Sequence, residues 1–247
     1  MTRMPAGRGR TFYLPIAVIL GIGLSVLIFQ TLNGGATDGE ILNRPYLTGK
    51  VVTHLELVFI SFGAVLAAGV PLGVAIAHSR RPLRVLVVLV ANLGQALPSI
   101  GVLVLLYNLL GLGLWPSVIA LALYGLLPVV RNTMVGVQGV DPAAVEAARG
   151  MGMTAWQSLW QVELPLASPV IFAGLRTALV LIVGTATLAN FIGGGGLGDV
   201  IASGVNQSDR IVFAGAVMVA VLALLADWAL SLVERVVVPR RITQSPG

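Results

Sequence analysis

Residues 85–130 read VLVVLVANLGQALPSIGVLVLLYNLLGLGLWPSVIALALYGLLPVV and contain no charged side chain. A helix that crosses the hydrocarbon core of a membrane needs about 20 apolar residues, so this run is long enough for two spans. The segment GLGLWP at residues 111–116 divides it, because Gly and Pro interrupt helices and Trp favours the membrane interface. The run therefore predicts two membrane-spanning helices with a break between them.

The composition of the whole chain also indicates a membrane protein. Of its 247 residues, 57% are hydrophobic and 10% are charged. A soluble domain carries about 25% charged residues. The net charge of +5 does not indicate nucleic-acid binding, because the basic residues lie at the ends of apolar runs and do not cluster on one face. The absence of cysteine excludes disulfides, thiolate metal sites and a thiol nucleophile.

Four further runs are long and apolar enough to span a membrane, at residues 12–29, 57–77, 168–192 and 211–233. Inside lipid, every backbone polar group needs a partner within the protein, and a helix supplies these partners locally. The sequence therefore predicts an all-α polytopic membrane protein with about six transmembrane helices.

The first run has an alternative interpretation as part of a cleaved signal peptide, since Arg3, Arg8 and Arg10 precede it. A signal core usually has about 7–15 apolar residues, which is shorter than the run at residues 12–29. The segment at residues 33–36 is only a weak cleavage site. The length of the run favours a retained helix.

The basic residues predict the orientation of the spans, because cytoplasmic segments of membrane proteins are enriched in Arg and Lys. With the N-terminus inside, the cytoplasmic segments hold eleven basic residues and the external segments hold three. We therefore expect both termini to be cytoplasmic. The cytoplasmic set is Arg3, Arg8, Arg10, Arg80, Arg81, Arg84, Arg131, Arg149, Arg235, Arg240 and Arg241, and the external set is Arg44, Lys50 and Arg210.

The longest cytoplasmic connection then extends over residues 131–167, which is too long for a turn and too polar for lipid. Asp141 is a good N-cap and Pro142 suits a first helical position, so a short helix is predicted to begin here. The GMG segment at residues 150–152 ends it, and a second helix is predicted to start at Thr154. Two short amphipathic helices can dock a partner beneath the membrane, or they can form an interfacial hairpin that only connects two spans.

Within this loop the sequence resembles the permease subunits of ABC importers. Their signature is Glu-Ala-Ala, three residues, Gly, nine residues, then Ile-x-Leu-Pro, and this chain departs from it only by having Val162 in place of Ile. The resemblance implies that the loop is a coupling helix, which contacts a separate ATPase subunit. The residues expected to couple to the ATPase are Glu146, Ala147, Ala148, Gly152, Val162, Leu164 and Pro165.

The stretches at residues 127–133, 146–153 and 184–199 are similar to permeases for osmoprotectants such as glycine betaine, choline and carnitine. The likeness covers roughly residues 54–238 and implies a type I importer permease in a bacterial inner membrane. Related permeases serve methionine and other small solutes, so a different small solute, such as an amino-acid derivative, remains an alternative. An ion-coupled secondary transporter is the alternative of another class, but the inverted repeats and mid-membrane acidic groups typical of one are not evident.

The resemblance also implies an assembly. The permease would pair with a second copy or a sister permease, bind two copies of an ABC ATPase, and receive solute from an extracytoplasmic solute-binding protein. The resemblance implies that it is surrounded by membrane lipid, needs no cofactor or metal and has no catalytic residues. The chain has no P-loop motif, so ATP hydrolysis is expected in the separate ATPase subunit. We expect an N-terminal tail, helix and external loop over residues 1–50, a five-helix core over 51–238, and a cytoplasmic tail over 239–247.

Other residues are candidates for a solute pathway and an outer gate. Pro98 is expected to kink its span, and the polar side chains of Asn92 and Gln95 suit a pore or a partner helix better than lipid. A glycine-rich segment on the external side would allow close backbone packing or rearrangement at the outer mouth, or it would be a plain flexible turn. Its glycines are Gly193, Gly194, Gly195, Gly196 and Gly198.

Four ionisable residues lie near the ends of spans. We expect His54 and His78 to be solvated boundary residues and not metal ligands. Arg176 and Asp227 lie within about two helical turns of the cytoplasmic face, where snorkelling or a local ion pair is cheap. A structural role is expected for both.

Overall fold

The structure is a computed structural model that describes Gly35 and residues 38–238. The predicted first span at residues 12–29 therefore lies outside the described residues, as does the C-terminal tail. Every regular element of the described residues is helical, which confirms the all-α class. In chain order, the elements are α1 (Asp38–Ile41), α2 (Arg44–Ala77), α3 (Arg81–Ala96), α4 (Ser99–Leu110), α5 (Leu114–Gln138), α6 (Pro142–Gly150), α7 (Ala155–Ser158), a π-helical turn (Leu159–Glu163), α8 (Leu164–Thr185), a 3-10 helix (Ala186–Ile192), α9 (Leu197–Gly204) and α10 (Asp209–Val237).

Four helices of the described part are long and apolar enough to cross a membrane. They are α2, α5, α10 and the continuous helical stretch Ala155–Ile192. A fifth span forms if α3 and α4 are taken together as one broken span. The predicted helix outside the described residues would be the sixth.

The uncharged run at residues 85–130 has two breaks. The predicted one is present: Gly111 and Gly113 have φ values of 82° and 127°, and α5 begins directly after them. The other lies at Pro98, where α3 and α4 meet at an angle of 95°. A proline removes a helical hydrogen bond and clashes with the preceding turn, so the kink predicted there is confirmed as a full break.

Helices α2, α5 and α8 pack around a shared apolar core. Small residues allow the close approach of α2 and α5: a Cβ built on Gly73 would lie 2.5 Å from the Cβ of Thr133, and one built on Gly69 would lie 2.9 Å from Val129. Two glycines separated by three residues form a flat strip on a helix, which suits helix packing inside lipid. Because α2, α5 and α8 share one core, the C-terminal ends of α5 and α8 are held in place relative to α2.

The charges within α8 and near the C-terminal end of α10 are paired. The Nε atom of Arg176 lies 3.2 Å from Oδ1 of Asp227, and its second guanidinium nitrogen lies 2.7 Å from Oε2 of Glu234. The predicted local ion pair is therefore confirmed, and Glu234 joins it. An isolated charge is costly in lipid, and the pairing lowers this cost. The same contacts link α8 to α10.

Candidate functional site

We call residues 139–163, which connect α5 to α8, the coupling loop, after the role predicted for it. Helix α5 continues to Gln138, so the connection is shorter than the 131–167 interval inferred from polarity. Oδ1 of Asp141 accepts a hydrogen bond from the backbone N–H of Ala143 at 2.9 Å, and Pro142 is the first residue of α6. The predicted N-cap and first helical position are confirmed.

The turn after α6 depends on Gly152, whose φ is 83°. In this left-handed region a side chain costs about 1–2 kcal/mol, whereas glycine is unstrained. The N–H of Gly152 donates to the carbonyl of Arg149 at 2.9 Å, and the N–H of Met153 donates to that of Ala148 at 3.1 Å. These bonds satisfy carbonyl groups that a helix end leaves open, so the loop ends its own first helix without outside help.

Thr154 caps the second helix, as predicted. Its Oγ1 accepts from the N–H of Gln157 at 3.3 Å, and Oε1 of Gln157 accepts from the N–H of Thr154 at 2.8 Å. The prediction of a separate second short helix is wrong, however, because α7 passes through the π-helical turn directly into α8. The helix continues although Pro165 has no N–H to donate to the preceding turn, and the π-helical turn lies directly before this proline.

The residues of the Glu-Ala-Ala signature divide into a packed set and an exposed set. Ala148 is only 1% exposed. Glu146, Ala147 and Gly152 are exposed, and the three later members of the signature are half-buried. The signature therefore combines a packing position with side chains that are free to contact another protein.

Large apolar side chains are also exposed on the coupling loop. Met151 is 72% exposed, Trp156 is 67% exposed and Trp160 is 55% exposed. The two tryptophan rings contact each other edge to face with centroids 5.5 Å apart. Exposed large apolar side chains of this kind are typical of a contact with another protein or with the membrane surface.

Glu163 connects the coupling loop to the inner end of α2. Glu163 is 7% exposed, and its carboxylate accepts from the hydroxyl of Ser158 at 3.3 Å and lies 3.0 Å from Nε2 of His78. Nδ1 of His78 lies 3.0 Å from the carbonyl oxygen of Val74. His78 is exposed, as expected. Its contact with Glu163 has no signal in the sequence around His78.

We call residues 193–199 the outer glycine segment, after the external side predicted for it. It follows the 3-10 helix at the C-terminal end of α8, and Gly193, Gly195 and Gly196 have φ values of 75°, 74° and 84°. All three lie in the left-handed region, where glycine is strongly favoured. The segment is therefore an ordered backbone path that requires glycine at three positions.

Two other glycines of this segment are needed for close approach. A Cβ built on Gly198 would lie 2.0 Å from the carbonyl oxygen of Thr187. One built on Gly194 would lie 2.4 Å from Oγ of Ser117. The backbone therefore packs closely at these two positions, and the role of the segment as an external gate stays a prediction.

His54 lies beneath the outer glycine segment and is completely buried. Its Nδ1 accepts from the N–H of Leu197 at 3.4 Å, and its Nε2 lies 3.1 Å from the carbonyl oxygen of Val183. Both bonds are made when Nε2 carries the proton. The expectation of a solvated residue is wrong, because α2 continues outward to Arg44 and the outer glycine segment folds against it.

Asp199, at the start of α9, joins three elements at the outer end. Its Oδ2 lies 2.5 Å from Nζ of Lys50 in α2, and its Oδ1 accepts from the side-chain amide of Asn190 at 2.5 Å. No local sequence pattern predicts this cluster, because Lys50 and Asp199 are 149 positions apart.

The predicted pathway residues are not part of either segment. Asn92 and Gln95 lie on an exposed face of α3, and Pro98 is exposed at the bend that follows. Their contribution to a solute path stays a prediction. Among residues 38–238, no group of three or more His, Cys, Asp or Glu side chains is arranged to hold a metal ion.

The chain belongs to the family of binding-protein-dependent transport system inner membrane components, whose family model matches residues 69–238. It is 40% identical to the glycine betaine/carnitine/choline transport system permease protein OpuCB of Bacillus subtilis, over 87% of this chain and 94% of the relative. It is 42% identical to the osmoprotectant import permease protein OsmW of Salmonella typhimurium, over 81% of this chain and 95% of the relative. The chain is thus a multi-pass membrane protein of the ABC importer permease class.

Solved structures agree on the fold. The inward-facing MetNI methionine ABC transporter contains a chain that matches with a TM-score of 0.70 at 22% identity, over 78% of this chain and 96% of that chain. An amino acid ABC transporter crystallised with histidines matches with a TM-score of 0.61 at 26% identity, over 77% and 94% of the two chains. The predicted fold of a type I ABC importer permease is confirmed.

Proposed function

We propose that this chain forms the solute path of an ATP-driven importer for osmoprotectants such as glycine betaine, carnitine and choline. The observation that carries the proposal is the likeness to permeases named for these solutes, at about 40% identity over most of both chains. The three solutes share a quaternary ammonium group and are small enough for one path. The extracytoplasmic binding protein, not this chain, makes the first selection among them.

The coupling loop is the proposed contact with a separate ABC ATPase, present in two copies. Its support is the exposure of Glu146 and Gly152 within the Glu-Ala-Ala signature, beside the exposed rings of Trp156 and Trp160. ATP hydrolysis belongs to that partner, and this chain needs no cofactor. A second permease, either another copy or a sister chain, completes the path.

In the proposed orientation the coupling loop and both termini are cytoplasmic, and the outer glycine segment is external. The eleven-to-three distribution of basic residues supports it. The chain has no native cysteine, so single cysteines at Trp156 and Val205, both exposed, can be probed with an impermeant thiol reagent. We expect labelling only at position 205 in intact cells, and labelling at position 156 would contradict the orientation.

Transport is tested in vesicles that contain the purified permease, its ATPase and its binding protein. We expect uptake of labelled glycine betaine, carnitine or choline that requires hydrolysable ATP. If the vesicles import methionine and none of these three solutes, the proposed solute class is wrong. Uptake driven by an ion gradient without ATP would contradict the proposed mechanism.

A further inference from the structure

Four polar side chains lie on one face of α3, two at its N-terminal end and two near the bend that follows it, with Val85 and Val88 between the two pairs. Arg81, Arg84, Asn92 and Gln95 are separated by three, eight and three positions, which places them on one side of a helix. Large apolar side chains cover the opposite side. These are Leu83, Leu86, Val90 and Leu93, and all four are exposed.

A cavity of about 390 Å³ lies at the inner end of this polar face, between α3 and α5. Small-molecule sites typically have volumes of about 300–1,000 Å³, with apolar walls and a few polar groups. This cavity has that character. Its polar groups come from Arg81, Arg84 and Gln138, and its apolar wall includes Val88, Leu89 and Met134.

The guanidinium of Arg84 is the feature that points to a ligand. Its Nε is buried and has no hydrogen-bond partner within the described part of the chain. Among residues 38–238, the ion pairs involve neither Arg84 nor Arg81. A buried donor without a partner is costly. Because this atom is enclosed, the Arg84 side chain has to turn for a ligand in the cavity to accept from it, and the hydrogen bond then made removes that cost. A carboxylate is the group that a guanidinium binds best, through two parallel hydrogen bonds.

We propose that this cavity is an inner solute site, in which Arg84 binds the carboxylate of a zwitterionic solute on its way to the cytoplasm. Arg81 adds positive charge, Gln138 adds a polar contact, and Val88 and Met134 pack against the methyl groups of the solute. This inference rests on the proposed function. Glycine betaine and carnitine carry a carboxylate and choline does not, so Arg84 acts on only some of the proposed solutes.

The position of the cavity explains why such a site is useful. A carboxylate crossing the apolar inner half of the membrane is costly unless a fixed positive charge compensates it. Asn92 and Gln95 offer uncharged polar contacts further out on the same face, and Arg84 offers the charge at the end of the route. A cationic solute without a carboxylate gains nothing from Arg84.

The test compares two solutes in the same vesicles, so that differences in protein abundance cancel. We expect Arg84→Gln to lower the ratio of glycine betaine uptake to choline uptake about tenfold or more, since a hydrogen-bonded charge contact is lost. Arg84→Lys keeps the charge but not the paired geometry, so it should restore the ratio in part. Arg80→Gln is the matched control, because Arg80 lies beside the same helix end, is exposed and does not line the cavity. It should leave the ratio unchanged.

An equal loss of uptake for both solutes in Arg84→Gln would overturn the inference. If that equal loss disappears in vesicles without anionic lipid, the cavity binds a lipid phosphate and not the solute, which also overturns it. If wild-type vesicles import neither glycine betaine nor choline, both the proposed function and this inference are contradicted. If the wild type imports both solutes and Arg84→Gln has the same ratio of glycine betaine uptake to choline uptake, only this inference is contradicted.

Discussion

The outer glycine segment and the coupling loop lie at opposite ends of the same spans, and they are held in opposite ways. The outer segment is packed against α2 and α5 and is tied to α2 through Asp199 and His54. The coupling loop satisfies its own helix ends, has a link to α2 through Glu163 and His78, and leaves three large apolar side chains exposed. The outer glycine segment thus makes its contacts within the chain, whereas the coupling loop leaves large apolar side chains exposed, as the proposed contact with a partner requires.

This difference predicts that substitutions in the outer segment damage folding or movement of the permease, while substitutions in the coupling loop damage assembly. Glycine substitutions give the largest contrast, because both segments contain glycines but only one is closely packed.

Gly198→Ala should cause the largest effect. Its Cβ would lie 2.0 Å from a backbone carbonyl oxygen, which cannot move without disrupting the 3-10 helix. We expect a loss of about 3 kcal/mol or more in the free energy of unfolding, since overpacking of this severity lies at the upper end of its usual range. The measurement is the abundance of folded permease in the membrane and its melting temperature in detergent.

Gly150→Ala is the matched control in the coupling loop, where a Cβ would meet nothing within 4 Å and the residue is helical. It should leave abundance unchanged or raise it slightly, because alanine favours helices. Equal abundance of the two variants would mean that the outer segment is not more tightly packed than the loop.

Gly195→Val and Gly196→Val should have an intermediate effect. Both positions have positive φ, which strains a β-branched residue by about 1–3 kcal/mol, and a Cβ on Gly196 would lie 3.1 Å from Nδ1 of His54. We expect the complex to assemble while uptake per complex slows. Normal uptake by both variants would leave the segment with a packing role only.

His78→Ala should have the smallest effect. Removing the imidazole leaves the buried carboxylate of Glu163 with Ser158 but without its partner on α2, at a cost of about 1–2 kcal/mol. We expect normal abundance, normal ATPase binding and less uptake per ATP hydrolysed, because movement of the loop reaches α2 less directly. If the ratio of uptake to ATP hydrolysis is unchanged, the contact between His78 and Glu163 stabilises the loop but does not transmit its movement.

Features that depend on neighbours in the chain were predictable from the sequence. The cap at Asp141 and the turn at Gly152 follow from local chemistry, and so does the interruption after α4 at Gly111. Their partners lie within a few positions, so the pattern alone identifies them.

Contacts between distant segments were not predictable in this way. The partners Lys50 and Asp199 are 149 positions apart, and His78 and Glu163 are 85 positions apart. The burial of His54 depends on where the outer glycine segment folds. Such contacts arise from helix packing, which leaves no periodic or local signal in one sequence.

The central claim, that the coupling loop is the contact with an ATPase, is tested most directly by the amount of ATPase that co-purifies with the permease. We predict that wild type retains it, and that Glu146→Lys and Gly152→Asp retain about tenfold less at normal membrane abundance. Glu146→Lys reverses a charge on the exposed side of α6, and Gly152→Asp adds a charged side chain at positive φ on the docking surface. Variants that are abundant, retain as much ATPase as wild type and import solute normally would contradict the claim.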